Sequence, residues 1–404
     1  MKTKTKTKTT WFLLLAVYAA FFAIGMPDGA FGVALPGIRI DIGLSRGQAS
    51  AIMIVHSLSY ALAASQMGRI EKIIPMKWVT GGGLFMLLAG ILGYSVSPGL
   101  AGFIVSTSIL GAGMALVDTG ANAFAIDRLS AKHMNWLHCF WAMGGMVSPL
   151  IMGQMIIYYD WRVGYVAIFA VQLVIAIILL TSILRGMWDV RQAHGDNPEQ
   201  KAEATTPLET GNTFLTAHKF QYMQFFIFFV YVAFEMSVTV WTVDVLINSP
   251  WRGVDFDAAR LFPAVYLGML MTGRFVFGYV SEKFSGTFII RVGFIIAAVG
   301  LLMLTFTSNI VWIAFVGFGF APIFPCLMNE TKRRFDPALL SKLVGMQIAA
   351  SGAGAAIGSF SIGQILEHVA LDAFFPVIIA LVALAFMVNE VIVRAIRRAC
   401  EGRP

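Results

Sequence analysis

Charge is scarce in this chain. Of its 404 residues only 13% are Asp, Glu, Lys or Arg, against about 25% in soluble domains, while 58% are hydrophobic. That balance excludes an ordinary soluble protein. Cysteine is nearly absent: Cys139, Cys326 and Cys400 are far apart and odd in number, which excludes a disulfide framework or zinc-ligand spacing. No glycine-rich phosphate loop follows a strand, so an ATP-driven pump is not expected. HExxH, CxxC and nucleophile-elbow patterns are also missing, so neither enzymatic activity nor a cofactor is implied. The net charge of +7 lies in short connectors between apolar runs, not in a basic patch with interleaved aromatics, and so does not suggest nucleic-acid binding.

What the chain has in abundance is long apolar runs. They fall at roughly 11–36, 48–67, 79–97, 101–125, 134–158 and 163–185, then at 219–247, 258–281, 288–307, 309–328, 341–366 and 372–394. Each is near the ~20 residues that cross ~30 Å of hydrocarbon as a helix. An all-α membrane protein with twelve transmembrane helices is therefore expected. The boundaries are a tail over 1–10, a six-helix bundle over 11–185, a polar linker over 186–218, a second six-helix bundle over 219–394 and a tail over 395–404. The opening MKTKTKTKTT resembles a signal-peptide n-region, but the run behind it is too long and lacks a small-residue cleavage site. An uncleaved first helix with a cytoplasmic tail is expected.

Basic residues orient the spans. With both termini cytoplasmic, only Arg39, Arg46, Arg162, Arg252 and Arg260 of the 29 Lys and Arg fall outside. The expected location is the plasma membrane (cell inner membrane), with a monomer as the default state. The two sets of six runs also echo each other. Gly68-Arg69-Ile70-Glu71-Lys72 is answered 210 positions later by Gly278-Tyr279-Val280-Ser281-Glu282-Lys283, and the Thr331–Arg334 connector answers the one around Arg128 and Lys132. Parallel halves with a site between them near the midplane are the architecture of alternating-access transporters.

Polar residues inside apolar runs mark the candidate site. A carboxylate at bilayer depth costs at least about 2.5–3.5 kcal/mol, so Asp28, Asp118 and Glu235 are candidates for coupling a proton or another cation. Asp118 and Asn122 share one helix face at i and i+4. His138 falls in the same half of the membrane, which makes an Asp118–His138 contact feasible. Asp28 and His56 each lie about 12 Å below the outer surface by helical rise and form a second candidate pair. Histidine titrates near physiological pH, so either pair can hold a proton; simple satisfaction of each histidine by a neighbouring carbonyl stays open. Glu235 occupies the repeat position near that of Asp28, and an ion pair with Arg274 is the structural alternative. Asn122, Asn135 and Gln347 with the platforms Trp141 and Trp241 suit a hydroxylated solute, although a tryptophan in a span is often only packing. Arg69, Arg274 and Glu282 are candidates for a cytoplasmic gate. Pro36, Pro149, Pro322, Pro325 and Pro376 are expected to bend or end helices.

These residues resemble the major facilitator superfamily, and within it the fucose–proton symporter branch. Val117-Asp118-Thr119-Gly120-Ala121-Asn122 is similar to that branch's fourth-helix signature. Asn135-Trp136-Leu137-His138, with Gly144-Gly145 and Ser148-Pro149-Leu150, resembles its fifth helix, especially in the subgroup of sodium-dependent glucose transporters. Gly25-Met26-Pro27-Asp28-Gly29, Tyr231 to Met236 and Phe324-Pro325 extend the likeness along the chain. Gly32 stands where the symporter carries its first-helix carboxylate, one turn after Asp28, and Ser281 stands where an aspartate is usual. The resemblance implies uptake of a sugar-like solute with a proton, or with sodium, through the lipid bilayer. Efflux of amphipathic compounds is the alternative, discriminated by whether Asn135, His138 and Trp141 face the interior.

Overall fold

A computed structural model describes residues 11–128, 131–188, 218–281, 283–335 and 340–401, and among these there are helices and turns but no strand. In hydrocarbon no water satisfies backbone N–H and C=O groups, so a spanning segment must close its hydrogen bonds internally. The first half of the chain forms α1 (Trp11–Ile42), α2 (Arg46–Ile70), α3 (Met76–Val96), α4 (Leu100–Arg128), α5 (Ala131–Tyr158) and α6 (Trp161–Leu184). The second forms α7 (His218–Asn248), α8 (Phe262–Val280), α9 (Gly286–Phe306), α10 (Ile310–Phe320) and α11 (Ile323–Arg334). It continues with α12 (Leu340–Ala353), a π turn at Gly354–Gly358, α13 (Ser359–His368) and α14 (Phe374–Glu401). Counting α10 with α11 and α12 with α13 as single spans, the described residues make two sets of six. Among the described residues, eleven spans are long and apolar enough to cross a membrane; α2, with 25 residues, is long enough but more polar.

Local chemistry sets the ends. Gly43 takes a positive φ of 71° after α1, and Ser45 opens α2 with a capping box in which Ser45 Oγ accepts from Gln48 N and Gln48 Oε1 from Ser45 N. Asp160, Ser285 and Asn309 cap α6, α9 and α10 through their side chains. Of the prolines expected to bend or end helices, Pro322 separates α10 from α11. Pro36 and Pro149 do not end theirs: each removes one ladder bond from a helix of 32 or 28 residues, and the helix continues. Pro325 and Pro376 sit in first turns, where donors are unpaired anyway.

Two expected boundaries move. The linker was expected from 186, yet Gly186 turns the chain with φ 68° and Trp188 folds back, donating to Ser182 Oγ at 2.8 Å and packing on Phe124. The helix α14 runs to Glu401 where a tail was expected from 395, because Ala395 to Cys400 are mostly good helix formers. Residues 1–10 and 189–217, the expected tail and most of the linker, lie outside the described residues.

In the first half α3 packs on α4, α1 on α5 and α2 on α4; in the second α9 and α8 pack on α10 and α12 on α7. Across the halves α5 meets α8, α1 meets α7 and α2 meets α13. Small residues allow this close approach, as is usual where lipid supplies no hydrophobic drive between helices. A Cβ on Gly144 would collide with the carbonyl oxygen of Phe22, and one on Gly111 would lie 2.5 Å from that of His56. Backbone cannot retreat as a flexible side chain can. Gly144→Ala is therefore expected to destabilise the fold by about 1–3 kcal/mol, the usual cost of overpacking. Gly82→Ala, with nothing within 4 Å, is expected to be neutral or stabilising. Thermal melts of the two variants in detergent check the contrast; equal melting temperatures would show that the α1–α5 contact is not tight.

Candidate coupling and substrate site

The chain enters α1 and leaves α14 on one face, the terminal face; the opposite one is the far face. α2 and α4 both run from the far face to the terminal face, side by side. Tyr60 Oη donates to Asp118 Oδ2 at 2.5 Å, and Asn122 Nδ2 donates to Asp118 Oδ1 at 2.9 Å, so both carboxylate oxygens are held. One turn nearer the far face, His56 Nε2 lies 3.3 Å from Met114 Sδ. Both pairs have a separation of 58 residues, which is parallel packing in register. His138 of α5 lies within electrostatic reach of Asp118 and of Arg274, with its ring edge-on to Phe21, but no hydrogen bond joins it to Asp118. The Asp118–Asn122 pairing foreseen from i, i+4 spacing is present. Tyr60 was missed; its signal was the spacing of His56 and Tyr60, four apart on one helix.

Asp28 and His56 line one small cavity with Phe31, Met53, Met236 and Thr239. The cavity, about 20 Å³, has room for one or two waters and no hexose. The two residues share the cavity without a hydrogen bond between them. Because α1, α2 and α7 all contribute, the cavity lies between the halves.

Glu235 of α7 centres the matching group in the second half. Tyr231 Oη is 3.1 Å from Glu235 Oε1 and 2.9 Å from the carbonyl of Phe320, beside the break at Pro322. Arg274 Nη2 lies 3.5 Å from Glu235 Oε1, and its guanidinium sits 6.0 Å from the Trp141 ring centroid in the other half. The ion pair raised as the structural alternative is thus present. Arg274 lies against Glu235 and Trp141, not against Arg69, which instead donates to Gln66 at 3.0 Å near the end of α2. Glu282 lies outside the described residues, as does the side chain of Asn135.

Two of the expected substrate contacts are committed elsewhere. Trp241 is fully buried, donating to the carbonyl of Ser359 at 3.1 Å and packing against Gly363. Gln347 is also buried and donates to Thr331 Oγ1 at 3.0 Å. Nearby, Arg334 donates to Gln224 at 3.0 Å and to Asn389 at 2.9 Å, which forms a polar knot inside the second half. Among the described residues no group of three or more His, Cys, Asp or Glu is arranged to hold a metal ion.

The halves are tied toward the far face. Asp244 at the end of α7 is fully buried and takes Arg39 Nη1 on Oδ1 at 2.6 Å and Arg46 Nε on Oδ2 at 2.7 Å. The Arg46 amide donates to Glu367 Oε2 at 2.7 Å, and Gln364 Nε2 donates to the Gly47 carbonyl at 3.3 Å. Gly32 lies against the Thr239 carbonyl and Gly153 against the Arg260 stem. In the sequence, Asp244 is a fourth acidic side chain plausible within a span, nearer the outer surface, and Arg39 and Arg46 are outer-face charges; their pairing is not legible there.

Among the described residues, two sets of six helical spans define a polytopic membrane protein. The chain belongs to the Major Facilitator Superfamily, which it matches over residues 17–359. Sodium-dependent glucose transporter 1 of Danio rerio is 26% identical over 37% of this chain and 26% of that protein, so the match spans about a quarter of that relative's length. A probable nitrate transporter, NarT of Staphylococcus epidermidis, is 24% identical over 69% of this chain and 68% of that one. The crystal structure of a point mutant of the nucleoside transporter NupG superposes with a TM-score of 0.75 at 10% identity, covering 94% of this chain and 99% of that one.

The far-face tie is a testable latch. Asp244→Asn removes the charge shared by two part-exposed arginines, so it should cost less than the about 3–5 kcal/mol of breaking a wholly buried pair. It is expected to open the far face, not to unfold the protein. In a background with the native cysteines replaced, a cysteine at the buried Ser50 should react with an aqueous maleimide at least about ten times faster in Asp244→Asn, since about 1.4 kcal/mol is tenfold in an opening equilibrium. An unchanged labelling rate would show that the ion pairs do not hold the halves together.

Proposed function

We propose that this transporter takes up a sugar or similar polyol together with a proton by alternating access. The observation that carries the reading is Asp118: a carboxylate inside a span, held on both oxygens by Tyr60 and Asn122, beside His138 and the interior face of α5. Low-dielectric surroundings favour the neutral form of a carboxylate, so such a group can load a proton on one face and release it on the other. His138 and Trp141 turn toward Phe21 and Arg274, which favours a polar solute over the efflux of amphipathic compounds. The proton is the preferred coupling ion, because both Asp118 oxygens are held by hydrogen-bond donors, Tyr60 and Asn122, and sodium is the alternative. Nothing beyond the monomer is required for this mechanism.

With its excess of basic residues, the terminal face lies in the cytoplasm of a plasma (cell inner) membrane. The far-face ties then make this conformation inward-facing, with Asp244 as part of the outer gate. Glu235 supplies the second half's coupling carboxylate, and Asp28 with His56 supplies a small water-sized pocket above Asp118. Arg69, Arg274 and Glu282 remain assigned to the opposite, cytoplasmic gate, which closes when the halves rock back.

The test is uptake of radiolabelled hexoses into proteoliposomes under an imposed pH gradient, a sodium gradient or neither. Accumulation under the pH gradient alone is expected. Accumulation only with sodium would replace the coupling ion, and transport of amphipathic cations instead of hexoses would replace the substrate class. Asp118→Asn is expected to abolish accumulation above equilibrium; accumulation surviving in that variant would remove Asp118 from coupling. Glu235→Gln is expected to reduce transport strongly while its melting temperature stays close to that of the unmodified protein. If the variant fails to fold, the Glu235–Arg274 pair is structural.

A further inference from the structure

We propose that Tyr60 is a positioning residue that makes the Asp28–His56 pocket and the Asp118 group one coupling site instead of two. The inference rests on the proton-symport reading and adds a residue that the reading does not require. Asp118 has two hydrogen-bond partners, and they differ in kind. The Asn122 amide nitrogen can only donate, whereas the Tyr60 hydroxyl can donate or accept. While Asp118 is charged, both donate to it. Once a proton sits on Asp118 Oδ2, that O–H needs an acceptor, and Tyr60 Oη is the atom already beside Oδ2, whereas Asn122 holds the other oxygen, Oδ1. The tyrosine then accepts, and its own hydrogen turns away from Asp118. No covalent bond is made or broken apart from the transfer of the coupling proton to Oδ2.

The packing sets the second carboxylate level one helical turn from that hydroxyl. Tyr60 follows His56 by one helical turn on α2, and the shared register of α2 and α4 stacks the Tyr60–Asp118 pair beneath the His56–Met114 pair. Gly111 against the His56 carbonyl keeps the two helices close at that level. Asp28, in the pocket with His56, is within electrostatic reach of the Tyr60 hydroxyl. From the other packed elements, α5 brings His138 toward Asp118, and across the halves Arg274 faces His138 while paired with Glu235. Gln364 of α13 meets α2 only at its far end, beside Gly47. Tyr60 is therefore bonded to the Asp118 level and stands one helical turn from His56 of the Asp28 level.

Two measurements test the link through Tyr60→Phe, which keeps the ring and its packing. The first needs no substrate. Purified protein in lightly buffered detergent is stepped through the range in which carboxylates and histidines titrate, and bound protons are counted with an indicator dye; the step missing in Asp118→Asn belongs to Asp118. In Tyr60→Phe that step is expected to move by about one pH unit, and an added Asp28→Asn change is expected to move it less than in the presence of Tyr60. A step that stays in place overturns the proposal and leaves the symport reading standing.

The second measurement follows D-glucose and L-fucose in proteoliposomes. The ratio of pH-driven accumulation to gradient-free exchange is expected to fall about tenfold in Tyr60→Phe, with the pH profile displaced, and Tyr60→Phe/Asp118→Asn is expected to be no worse than Asp118→Asn alone. A loss of exchange and accumulation in equal measure, with an unmoved profile, would make Tyr60 merely structural. A native protein that moves sugar without responding to the pH gradient would sink the symport reading itself, and the dye titration would still decide whether Tyr60 links the two groups.

Discussion

A charge inside an apolar structure must find partners, and much of this molecule is arranged around three carboxylates that do. Asp118 is held by a tyrosine and an asparagine, Glu235 by a tyrosine and a loosely placed arginine, and Asp244 by two arginines from the other half. The partners differ in kind. Asp118 takes neutral donors on both oxygens, whereas Asp244 takes two guanidinium groups, whose planar forks match a carboxylate. Hence the carboxylate between two arginines ties helices of the two halves, and the one between hydroxyl and amide ties helices of one half.

The placement of these groups follows from helix contact. Parallel running of α2 and α4, with Gly111 letting the backbones meet, turns the i, i+4 spacing of two helices into two stacked cross-helix pairs. The break at Pro322 presents the Phe320 carbonyl to Tyr231, which in turn reaches Glu235. On the far face, Gly32 and Gly47 bring the halves close enough for Arg39 and Arg46 to reach Asp244. Glycines and polar groups thus act together: the small residues set the separations at which the polar contacts form.

Several features are legible in the amino-acid order itself. The twelve runs become twelve spans because hydrophobic length and backbone satisfaction leave few alternatives in a membrane. Asp118 with Asn122 is legible because both lie on one helix. Partners on other helices are not: Tyr60 for Asp118, or Arg39 and Arg46 for Asp244. Trp241 and Gln347 look like solute contacts because a polar tip inside an apolar run is ambiguous. The fold resolves both toward internal bonds, with Ser359 and Thr331. Arg274 is placed by its distance to the Gly278 motif, but its contact with Glu235 lies on another helix and is not legible in the spacing.

Composition and spacing by themselves determined that this chain is a helical membrane protein of two echoing halves, with carboxylates at depth and a basic terminal face. Those are properties of length, periodicity and burial cost, which act along the chain. Only the tertiary structure decided which partners each carboxylate meets, where the cavity beside Asp28 and His56 lies, and which helices of the two halves touch. Such outcomes depend on contacts between helices distant in sequence, such as the 205 residues separating Arg39 from Asp244, and no local rule reaches across that separation.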